Sequence, residues 1–251
     1  MGYVEWLRVR GALKWTAIVL GVLFVLACVG RISIMRFEHH SMAMHEMKFA
    51  YFVLVGSVLA MIVATILGAP FARENDGHLE VALTQPAGRV ALALRTIGID
   101  VAGIVAALAL GIVFGIAAHT IFWPPKVTFH VGDAIALALG IMAPLAWYAM
   151  LAAATASLKR GYAAILGVAW PVAAIVAGVA LIDVRDNAMF ALIHDAFWAL
   201  SLIDPLAYMH IVVTNRESAV DPAWLSRLTM LAVLAFGYGA LAIAQWRRVE
   251  A

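Results

Sequence analysis

The chain has 251 residues, of which 65% are hydrophobic and 13% charged, with a formal net charge of +2 and a mean hydropathy of +0.97. Soluble domains carry roughly 45–50% apolar and about 25% charged residues, so an ordinary soluble fold is excluded, and so small a net charge gives no footing for nucleic acid. The lone cysteine, Cys28, excludes an intrachain disulfide. What remains is an all-α, multi-pass membrane protein.

In chain order, residues 1–14 read as an amphipathic helix. Val4, Leu7 and Leu13 with Trp6 and Trp15 suit the headgroup zone, while Arg8, Arg10 and Lys14 suit lipid phosphate. The first span is expected at 15–30, uncleaved because no small-x-small site follows it. An external loop then runs from Arg31 to Lys48. The second span is 49–69, long enough to cross about 30 Å of hydrocarbon.

Residues 70–96 form a polar excursion. Neighbouring apolar helices need only about 2–8 connecting residues, so so long a stretch calls for another explanation. Glu74-Asn75-Asp76-Gly77 is a charged turn, Leu79, Val81, Ala82 and Leu83 make a short apolar patch, and Gln85-Pro86-Ala87-Gly88-Arg89 breaks and restarts the chain. A short interfacial helix against which another protein presses is the economical reading.

The third span is expected at 97–118 and contains a Gly111-x-x-x-Gly115 pair, which favours close helix packing. Asp100, three residues inside it, would lie near the interface, solvated or paired with an arginine such as Arg95. Trp123-Pro124-Pro125-Lys126 marks an external turn with an aromatic anchor. The fourth span is 134–158, interrupted at Pro144. The fifth is 162–182, with Trp170-Pro171 near its middle. Asp183 to Ser226 is the longest polar stretch, holding two apolar pieces too short to cross, Ala188–Leu202 and Pro205–Val213. The sixth span is 228–246.

The cationic residues orient this layout. With the amino terminus inside, Arg8, Arg10, Lys14, Arg73, Arg89, Arg95, Lys159, Arg160, Arg247 and Arg248 are cytoplasmic. Arg31, Arg36, Lys48, Lys126, Arg185, Arg216 and Arg227 are external, on longer loops. Both termini are then cytoplasmic.

Several chemistries are missing from the sequence. There is no G-x-x-x-x-G-K-[ST] phosphate loop, no H-E-x-x-H helix and no G-x-S-x-G elbow. The expectation is a protein that is not itself an enzyme. Outside the membrane, the first external loop reads Glu38-His-His-Ser-Met-Ala-Met-His-Glu-Met47. If helical, His40, Met44 and Met47 share a face. Three readings stay open for His39, His40, Met44, His45 and Met47: a soft-metal site such as Cu(I), a sensor of external pH, or residues merely tolerated at an interface.

The order acidic residue, polar turn, Gly, apolar-acidic helix, Pro, small residue, Arg resembles the segment after the second span of type-2 ATP-binding-cassette (ABC) permeases. Glu74, Gly77, Leu79, Glu80, Leu83, Pro86 and Arg89 stand where that pattern has them. His78 stands where Thr is usual, and Gln85 where a small hydroxyl residue is usual. The resemblance extends over the six-span layout from the amino-terminal elbow to the last helix. It implies short external gate helices between spans five and six, and a coupling helix at Glu74–Arg89, His78 included, seated on a cytosolic ATPase. It further implies an exporter of two permease subunits, identical or related, with two ABC ATPase chains that bind the ATP and Mg, in a bacterial cytoplasmic (inner) membrane. Trp147, Tyr148, Tyr162 and Tyr238 suit an amphipathic or hydrophobic cargo, and suit helix packing equally. Two rival readings are a membrane-embedded regulatory or assembly protein that binds a cytosolic partner through residues 70–96, and a secondary transporter.

Overall fold

The computed structural model describes residues 2–37, 47–68, 89–122, 127–155, 169–170, 172, 195–196, 198–209 and 222–248. Five long helices account for most of them: α1 Gly2–Phe37, α2 Phe49–Gly68, α3 Arg89–Phe122, α4 Val131–Thr155 and α5 Trp224–Arg248. Four stretches within these are long and apolar enough to cross a membrane, namely Phe49–Gly68, Ala93–Thr120, Val131–Ala154 and Trp224–Gln245. They fall on the second, third, fourth and sixth expected spans. The fifth expected span lies almost wholly outside the described residues.

Three details differ from the sequence reading, one being that α3 begins at Arg89 and not at residue 97, so that 89–96 belong to the helix. The elbow expected at 1–14 and the span expected at 15–30 are one unbroken helix that continues to Phe37. No proline interrupts residues 2–37, so nothing in the backbone forces an elbow, and a helix of about 54 Å overshoots the hydrocarbon core. The fold is also not purely helical. Two short strands, β1 Met47–Lys48 and β2 Val127–Thr128, pair in parallel just before α2 and α4.

That strand pair marks one end of the bundle, the strand end; residues 69–88 leave from the other, the connection end. Contacts fix the direction of every helix between them. Arg8 meets Asp100 and the ring of Phe24 meets that of Phe114, so α1 and α3 run together toward the strand end. Ser57 bonds to Gly140 and Thr65 to Trp147, so α2 and α4 run together the opposite way. Leu228, Leu231 and Leu234 pack with Ile135, Leu139 and Ala143, while Tyr238 and Ala242 join the cluster of Trp147 and Leu151. Hence α5 runs parallel to α4.

Two backbones come close together where α2 crosses α3. A Cβ on Gly111 would sit 2.6 Å from the Gly56 Cα, and one on Gly115 would sit 2.9 Å from Phe52. The Gly111-x-x-x-Gly115 pair thus lets two backbones touch, as small residues do in membrane bundles. Pro144 lies inside α4 and cannot donate to the Gly140 carbonyl four residues back. The Ser57 hydroxyl of α2 supplies that bond instead, at 3.1 Å. At the strand end, Asp133 in the first turn of α4 accepts from the His130 N–H at 2.6 Å, closing the helix start.

Candidate functional site

Of the expected coupling residues, Glu74, Gly77, His78, Leu79, Glu80, Leu83 and Pro86 lie outside the described residues. Arg89 is the first residue of α3, directly after Gly88, where the sequence has the chain restart. His39, His40, Met44 and His45 likewise lie outside the described residues, and Met47 opens β1. Among the described residues no group of three or more His, Cys, Asp or Glu is placed to hold a metal.

What is described is the ground on which the 69–88 connection stands. Gly68 ends α2 with its backbone against Leu151, and about three turns into α3 the chain buries a carboxylate, Asp100. The buried side of α3 runs Ala93, Thr96, Asp100, Gly103, Ile104, Ala107, Gly111. Asp100 therefore sits on the core-facing stripe of the helix, where i, i+3 and i+4 neighbours align.

Arg8 reaches it from α1. The buried stripe of that helix is Val9, Ala12, Thr16 and Leu20, and Arg8 lies on its edge, so its guanidinium turns inward. Arg8 Nη2 donates to Asp100 Oδ1 at 2.5 Å, and the Tyr148 hydroxyl of α4 donates to Oδ2 at 2.7 Å. Each carboxylate oxygen thus has a donor, one of them charged. The Asp100 side chain is 0% exposed and that of Arg8 22%. Arg8 keeps a path to water or headgroups while Asp100 has none. One pairing differs from expectation: Arg95 is exposed, and the partner of Asp100 is Arg8. Asp100 is sealed rather than solvated, because α3 begins at Arg89 and the residue lies about 16 Å along it.

Next to this triad, Trp147 donates its indole N–H to Thr65 at 2.9 Å. Trp147 and Tyr148 are 1% and 2% exposed, which makes them packing residues here rather than a cargo wall. Chemically the arrangement holds three helices, α1, α3 and α4, in one register at the connection end.

No family model, curated protein or solved structure matches this chain. The helices alone therefore define the class: a polytopic, predominantly helical membrane protein.

Proposed function

We propose that the protein is the permease subunit of an ATP-driven ABC exporter in a bacterial cytoplasmic membrane, moved by a separate cytosolic ATPase that seats on residues 74–89. The observation that carries this reading is the placement of the Arg8–Asp100–Tyr148 triad. It ties α3 to α1 and α4 about three turns beyond the segment whose sequence resembles a coupling helix.

Two further features support it. α4 ends at the connection end and α5 starts at the strand end. The layout calls for a return pass between them, the part given to residues 162–182. Asp100, the carboxylate buried within α3, is neutralised by an arginine. Charges that relay ions inside membranes usually face a cavity or change partners, so a sealed pair at this position favours mechanical coupling over ion relay.

The test is purification of the chain with the product of a candidate ABC ATPase reading frame, followed by reconstitution. The expected result is ATP hydrolysis by the pair that exceeds that of the ATPase alone, and that is lost when Glu80 and Leu83 are both changed to Ala. Equal hydrolysis with and without this chain overturns the proposal.

A further inference from the structure

A second buried carboxylate, Asp204, has very different surroundings. It is 5% exposed and caps a short 3-10 helix, Pro205–Tyr208, by accepting the Leu206 N–H at 2.9 Å. Among the described residues no Lys, Arg or His forms an ion pair with it. Its depth follows from Tyr238, whose hydroxyl donates to the neighbouring Ile203 carbonyl at 2.8 Å. Tyr238 is fourteen residues beyond Trp224, about 21 Å along α5, in a helix of 25 residues. The Asp204 turn thus lies near mid-height of the bundle. Non-helical backbone at membrane depth persists only where it is covered by protein or lines a water-filled path. Here Leu206 and Trp170 pack on the main core, and Tyr208 and Met209 on the α4–α5 cluster.

Two aromatic side chains flank the carboxylate. The indole of Trp170 is close enough to act on it, and its buried N–H meets no acceptor with hydrogen-bond geometry. Tyr238 is within electrostatic range. The adjacent Leu202 and Ile203 are 42% and 52% exposed, so the turn reaches the lateral surface of the subunit instead of being sealed in its core.

We infer that Asp204, with Trp170 and Tyr238 beside it, is the counter-charge of a binding site for an organic cation with apolar substituents. An ionised carboxylate at this depth is costly unless a positive group meets it. An alkali or divalent ion needs about six oxygens; here one carboxylate oxygen and the Ile203 carbonyl are already engaged, and the neighbours are rings. Two aromatic side chains and one carboxylate suit an ammonium or phosphonium group better than a bare metal ion. The inference rests on the permease reading in treating that cation as cargo.

The test uses the full chain in lipid nanodiscs and needs no ATPase. Binding of tetraphenylphosphonium is measured by equilibrium dialysis beside tetraphenylborate, which has the same shape and the opposite charge. Saturable binding of the cation alone is expected, weakened at least ten-fold by Asp204→Asn, a change that keeps the helix cap. Asp204→Ser also caps without charge, and serves if the Asn chain does not fold. Equal cation binding by the uncharged variant, or saturable tetraphenylborate binding, overturns the site. Absent cation binding beside ATPase stimulation by this chain sinks the site alone and leaves the permease reading standing.

Discussion

Asp100 and Asp204 are buried to nearly the same degree, yet the regions around them are built on opposite plans. Asp100 lies where α1, α3 and α4 press together, with an arginine on one oxygen and a tyrosine on the other. Asp204 lies where a short turn leans on α4 and α5, with the Leu206 N–H on one oxygen and the Trp170 indole nearby. The packing follows the same division. Half of the α2 span is buried but only 11% of the α5 span; a Cβ on Gly111 meets backbone, whereas one on Gly237 meets nothing within 4 Å. A charge that is fully answered and tightly packed holds structure together. Asp204, with no ion-pair partner among the described residues, lies beside a helix that is mostly exposed.

The largest effect that separates the two regions should come from breaking the ion pair. Arg8→Ala leaves Asp100 buried and unpaired, and should destabilise the fold by about 3 kcal/mol, the lower end for a buried pair because Arg8 is partly exposed. Unfolding in detergent micelles reads this. The double change Arg8→Met with Asp100→Leu should recover most of the loss, since it removes both charges. If the double variant is no better than the single one, the pair is not an isolated electrostatic unit.

Next in size is the helix contact. Gly111→Val forces atoms into the Gly56 backbone, which cannot yield, and should cost roughly 2–3 kcal/mol. Gly237→Ala on α5 should leave the same unfolding midpoint unchanged or slightly raised. Similar losses at both positions would erase the contrast between a tight and a loose region.

A smaller effect is expected from Ser57→Ala, which strips the Gly140 carbonyl of its substitute donor and should cost about 1 kcal/mol. Restoring a backbone donor by Pro144→Ala in the same chain should cancel that loss. Smallest of all is Asp204→Asn. Asparagine caps as well as aspartate, so stability should move by no more than about 0.5 kcal/mol. A loss near that of Arg8→Ala would mean that Asp204 is structural after all.

Much of this was open to reading from the residues. Apolar length located four of the crossing helices, and the Gly111–Gly115 spacing pointed to the α2–α3 contact. The Pro86–Gly88 break marked the start of α3 at Arg89. The fate of Asp100 was also within reach. It falls on the stripe of Thr96, Ile104 and Ala107, which a helical projection started at Arg89 instead of residue 97 places toward the core. Arg8 was harder, because residues 1–14 look like a surface helix, and only the packing of Val9 and Ala12 turns one of their three cations inward. Asp204 was beyond reach. Its depth is set by a hydrogen bond between residues 203 and 238, and no local pattern distinguishes a polar turn that stays outside from one that dips between helices.

The central claim is that the connection between α2 and α3 faces the cytosol and seats an ATPase. A single cysteine at its centre, Glu80→Cys in a Cys28→Ala chain, tests this with a membrane-impermeant maleimide. The account predicts labelling in inside-out vesicles, none in right-side-out vesicles or intact cells, and protection when the ATPase is bound. Labelling from the outer face contradicts it.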